Sequence, residues 1–117
     1  MRHRKRGKKL GRKIGPRRAL LKSLVINFIL SGRIKTTAAK AKAVRPIIES
    51  LISLAKEDNL NIRRQLIPFL QQRAVVKKIL TEIGPKYKDR TGGYTRIIKL
   101  GQRQTDSAQM VIIELVK

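Results

Sequence analysis

The chain has no cysteine and no tryptophan, one histidine, and only two phenylalanines and two tyrosines in 117 residues. Without cysteine, disulfides, thiolate metal sites and cysteine nucleophiles are excluded. The lone histidine, His3, lies among basic residues near the start, where no positioned histidine–carboxylate pair can be built. Acid is scarce too: seven carboxylates face 29 lysines and arginines, and the first is Glu49. They are scattered, without H-x-x-x-H or Asp-rich metal spacing, and no Walker-type G-x-x-x-x-G-K-[ST] occurs. The expectation is therefore a protein that is not an enzyme, with no cofactor, no metal site and no small-molecule substrate. No apolar run reaches the roughly 18 residues of a membrane span, so no membrane partner is expected. A basic start followed by residues 19–30 has the outline of a secretory signal. Its basic part is too long, Lys22 and Asn27 interrupt the apolar part, and no small-residue cleavage pattern follows.

What is abundant is positive charge. The formal charge is +22 and the sequence pI near 11.7. Residues 1–18, MRHRKRGKKLGRKIGPRR, hold ten lysines and arginines and no acid. Such a segment hides little apolar surface and repels itself, so it reads as an extended arm that orders on a polyanion. Residues 1–15 are taken as this arm and residues 16–117 as one compact domain, a length that suits a single core. Nucleic acid is the leading partner.

Along the domain, Pro16 fits the first turn of a helix, and Leu20, Leu21, Leu24, Val25 and Phe28 recur at helical spacing until Ser31-Gly32. Residues 33–36 alternate as a short strand. Thr36 or Thr37 can cap a second helix with Val44, Ile47, Ile48, Leu51 and Ala55 inward, kinked at Pro46. Residues 60–70 form a third helix, with Leu66, Phe69 and Leu70 inward. A fourth carries Val75, Val76, Ile79, Leu80 and Ile83 and stops at Gly84-Pro85. Residues 89–93 are a turn cluster, 94–100 a strand, 101–107 a loop and 108–116 a second strand. The order helix, strand, three helices, two strands predicts an α+β domain of two layers, with helices on one face of a small three-stranded mixed sheet.

The few aromatics and the absence of an RNP-like motif argue against a platform that stacks many bases. Contacts should be mainly to phosphates and sugars, reading shape more than sequence. In DRTGGYTR, residues 89–96, the glycines serve a tight turn or let backbone N–H groups approach phosphate, with Arg90 and Arg96 flanking and Asp89 orienting an arginine. A DNA-architectural or general nucleic-acid-condensing protein is the alternative, although no wedge or helix-turn-helix reader is visible.

Several stretches in order carry a specific resemblance: MRHRK at 1–5, KLGR at 9–12, RIKTT with AKAK at 33–42, RPIIESLISLAK at 45–56, KYKDRTGGYTRIIKLG at 86–101 and VIIELV at 111–116. Together they resemble the bacterial large-subunit ribosomal proteins of family seventeen over essentially the full length. The resemblance implies a structural constituent of the large (50S-type) subunit in the bacterial cytoplasm. It would bind and stabilise large-subunit (23S-type) ribosomal RNA in support of translation, beside neighbouring ribosomal proteins near the peptide exit. Matched onto this chain, the expected RNA contacts in the arm are Arg2, His3, Arg4, Lys5, Arg6, Lys8, Lys9, Arg12 and Lys13. Arg17, Arg18, Arg33, Thr36, Thr37, Lys40, Lys42 and Arg45 continue them, and Arg90, Gly92, Gly93, Tyr94 and Arg96 form a second group. Deleting residues 2–14 is expected to leave one cooperative thermal transition while impairing incorporation into subunits. Loss of that transition would show that the arm belongs to the core.

Overall fold

The computed structural model describes residues 14–116. The arm contacts from Arg2 to Lys13 lie outside these described residues. Helix α1 spans Ile14–Ser31, with Pro16 in its first turn, where an N–H would have no partner. Its C-terminal half is apolar nearly all round, and Val25, Phe28 and Ile29 are fully buried, whereas Leu20, Leu21 and Leu24 are half-buried. Gly32 then turns the chain at φ +80, a conformation that favours glycine, and its N–H donates to the Phe28 carbonyl at 2.7 Å.

Strand β1, Arg33–Thr37, leads directly into helix α2, Ala38–Leu54. Of the two threonines Thr37 is the cap, its hydroxyl accepting the Lys40 N–H at 3.4 Å. Thr36 instead points into the core side of the sheet. α2 runs through Pro46 as one helix and buries Ala41, Val44, Ile48 and Ile52. Helix α3, Leu60–Leu70, starts on an Asn59 cap and ends at Gln71 in the left-handed region. Leu66 and Leu70 are buried as expected, but Phe69 is only half-buried.

The Gly84-Pro85 stop does not occur. Helix α4, Arg73–Lys78, passes through a π-helical turn, Ile79–Ile83, into the short helix α5, Gly84–Lys86. The Gly84 N–H bonds the Ile79 carbonyl five residues back. A wider turn just before Pro85 gives its ring room beside the preceding carbonyls, so the proline is accommodated without ending the helix. Gly84 has a different task from stopping a helix. A Cβ there would lie 2.1 Å from the Ala55 carbonyl oxygen, so the glycine allows the backbone to pack directly against the end of α2.

Strands β2, Thr95–Gln102, and β3, Gln109–Leu115, complete a three-stranded sheet of order β1-β3-β2. Both pairings are antiparallel, which corrects the expected mixed sheet. The helices between β1 and β2 separate those two strands in the chain, and β3 returns between them, so the strands that run the same way never touch. On the core side Ile34, Ile113 and Ile97 meet the helices, and Val111, Thr36 and Thr95 are buried on the same face. A bulge sets Lys99 opposite Val111 and Gly101 opposite Met110, with Gly101 at φ +101. The hairpin loop is therefore shorter than its polar composition implied. Asp106 ties it by accepting from Arg103 Nη2 at 2.7 Å and Nε at 2.9 Å, and from the Ala108 N–H at 3.1 Å. The Arg103 guanidinium first, and that N–H second, lower the Asp106 carboxyl to about 2.

Replacing Gly84 by alanine tests the close approach. Overpacking costs about 1–3 kcal/mol, more than the roughly 1 kcal/mol alanine gains over glycine in a helix. The thermal midpoint of Gly84→Ala should fall, by roughly 4–8 °C per kcal/mol lost. A midpoint equal to or above that of the unaltered chain would refute the contact.

Candidate nucleic-acid interface

The arrangement of carboxylates decides which cations are free. Among the described residues three ion pairs form: Asp58–Arg63 at 2.8 Å, Arg96–Glu114 at 3.0 Å and Arg103–Asp106 at 2.7 Å. All their carboxylates lie beyond the acid-free first 48 residues. Arg17, Arg18, Arg33, Lys40 and Lys42 have no carboxylate partner among the described residues. Arg18, Arg33 and Lys42 are exposed, and Arg17 and Lys40 half-exposed.

These cations come from three elements. Arg17 and Arg18 stand on the first turn of α1, where the unpaired N–H groups of a helix start add positive potential. Lys40 and Lys42 stand on the first turns of α2, just past the Thr37 cap. Arg33 lies on the outer face of the sheet. There the register places Glu114 between Arg33 and Arg96 in one cross-strand row. Glu114 bonds Arg96, so Arg96 is shared with a carboxylate while Arg33 is not.

The second expected group, around DRTGG, is held from behind by α2. Arg45 Nη2 donates to the Thr95 carbonyl at 3.2 Å, and Glu49 accepts from the Thr95 hydroxyl at 3.2 Å. Ser53 Oγ lies 3.0 Å from the Tyr94 hydroxyl, which donates to the Arg90 carbonyl at 3.2 Å. The Lys56 ammonium donates to the same carbonyl and sits 4.8 Å from the Tyr94 ring centroid. Burial pushes the Tyr94 phenol up, but hydrogen bonds from Lys56 and Ser53 and the lysine charge outweigh it, leaving the phenol below its ordinary value.

The expected contacts therefore divide. Tyr94 is 1% exposed and packs against Tyr87, with ring centroids 5.4 Å apart, so it is a post under the loop. Thr36 is also buried. Arg45 is a brace between α2 and β2. Arg90 stays exposed, its Nε donating to the Gly92 carbonyl at 3.1 Å, the orienting role expected of Asp89. Gly93 needs its glycine, with φ +62, whereas a Cβ at Gly92 would meet open space. The turn thus explains Gly93 and leaves the Gly92 backbone approachable.

Glu49, Ser53 and Lys56 were absent from the expected residues. Their signal is present in the chain: Arg45, Glu49, Ser53 and Lys56 recur at helical spacing, one position after the buried Val44, Ile48, Ile52 and Ala55. A polar stripe running alongside an apolar stripe marks a helix that packs on two sides.

Fold and surface together define a small, strongly basic α+β protein whose polar networks brace loops and strands. The family model described as Ribosomal protein L17 matches residues 20–116. The chain belongs to this family of bacterial large-subunit ribosomal proteins. It is 55% identical over 109 residues to the large ribosomal subunit protein bL17 of Thermoanaerobacter sp. (strain X514), covering 93% of this chain and 97% of that protein. It is 50% identical to bL17 of Dictyoglomus thermophilum, covering 99% of this chain and 100% of the relative. With bL17 of Rubrobacter xylanophilus the identity is 49%, covering 99% and 96%. The family is structural, so the chain is a ribosomal component and not an enzyme.

Proposed function

We propose that this chain stabilises the large ribosomal subunit in the bacterial cytoplasm by binding its large ribosomal RNA, mainly through phosphate and shape contacts. The observation that carries this reading is that, among the described residues, the cations on α1, β1 and the start of α2 have no carboxylate partner, while the ion pairs lie between later residues. Unpaired guanidinium and ammonium groups on a rigid platform hold phosphates without reading base edges. Basic residues of the arm add further phosphate contacts to those of the platform, whose first helix starts at Ile14, two residues before the expected boundary at 16. Arg90 and the open Gly92 backbone add a second contact, with Gly93 and Tyr94 keeping the loop in place for it. Neighbouring large-subunit proteins near the peptide exit are the further partners that the family resemblance implies.

Tagged protein in growing cells provides the test. It should co-sediment with large subunits and stay bound through a moderate salt wash. Recovery with nucleoid DNA, and absence from washed subunits, would favour a DNA-condensing protein and contradict this reading.

A further inference from the structure

Phe69 belongs to the apolar pattern of α3, yet the fold leaves it half-exposed. It lies in an open cleft of about 410 Å³ where α1, α2 and α3 meet, within the ~300–1,000 Å³ of small-ligand sites. Leu21, Pro68 and Phe69 give the cleft apolar walls, and Arg18, Lys22 and Gln65 its polar rim. The Lys22 ammonium lies over the Phe69 ring, 5.7 Å from its centroid. Neither Arg18 nor Lys22 has a carboxylate partner among the described residues.

We propose that this cleft takes one unstacked nucleotide of the ribosomal RNA, with its base on Phe69 and Pro68 and its phosphate held by Arg18 and Lys22. The inference rests on the RNA-binding reading above and adds to it a base contact where only phosphate and shape contacts were expected. An aromatic face accepts any base, and nucleotides in loops and bulges are free to leave their stack. Lys22 is a flexible chain whose ammonium over an exposed ring is weakly held. A base can displace it from the ring and leave it beside the same nucleotide's phosphate. The Gln65 amide, donor and acceptor at once, stands at the rim where it can meet a base edge. Charge complementarity selects this occupant: an apolar floor alone would suit many partners, but two unpaired cations at its edge call for an anion joined to a flat apolar group.

Two variants of the full chain, titrated onto deproteinised large-subunit ribosomal RNA over a range of salt, separate the contacts. Phe69→Leu keeps an aliphatic group against the core and should weaken binding roughly fivefold or more with the salt slope unchanged. Lys22→Gln should make the slope shallower by about 1, as loss of one phosphate contact does. Unaltered affinity in Phe69→Leu, while the parent chain binds with a steep salt slope, overturns the nucleotide cleft and leaves the RNA reading standing. A parent chain that does not bind the RNA overturns both. If Phe69→Leu lowers the thermal midpoint, a photo-reactive benzoylphenylalanine placed at the exposed Gln65 decides. Crosslinking in assembled subunits to one RNA nucleotide, mapped by primer extension, supports the cleft. Crosslinking to a ribosomal protein, or none, overturns it.

Discussion

The pattern of uncompensated positive charge on this fold depends on a shortage of negative charge. Seven carboxylates accompany 29 cations, and the chain places none of them in its first 48 residues. Exposed ion pairs such as Asp58–Arg63 are screened by water and contribute little, so they do not hold the fold together. Burial of side chains such as Phe28, Ile48 and Ile113, worth roughly 1.5–3 kcal/mol apiece, does that. What the carboxylates control is where positive charge remains uncompensated. Glu114 engages Arg96, while Arg33, across the strand from it, has no carboxylate partner among the described residues. Asp106 quiets Arg103 at the far hairpin.

Helix α2 links these electrostatics to the core. Its apolar face packs in the main cluster, and Gly84 lets the α4–α5 segment press directly on its last turn. Its first turns carry Lys40 and Lys42. Its polar stripe from Arg45 to Lys56 fastens the strand β2 and the 89–94 loop. One helix thus carries unpaired cations at its start and positions a second basic loop near its end. Rigid positioning matters because a phosphate contact loses strength when its donor must first be ordered.

Much of this was legible in the chain. Periodicity located the helices, α3 at its observed bounds, and the acid-free run stood out from composition. The errors share a physical cause: they concern residues whose local signal is overridden by tertiary packing. Gly84-Pro85 has the composition of a helix stop, but the glycine is required by a backbone contact 29 positions away in sequence at Ala55. Tyr94 sits in a loop-like motif, yet its ring fills the core beside Tyr87. Phe69 has core spacing, but among the described residues no element covers its outer side. Strand direction was illegible because it depends on β3 inserting between β1 and β2, which no local pattern records.

The central claim, a proposal, is that cations of the first 45 residues meet phosphates. It is tested most directly by the salt dependence of the full chain's affinity for deproteinised large-subunit ribosomal RNA. With about eight phosphates engaged, log K should fall against log salt with a slope of roughly −6 to −7. A slope near zero, or one no steeper than about −2, would contradict the account.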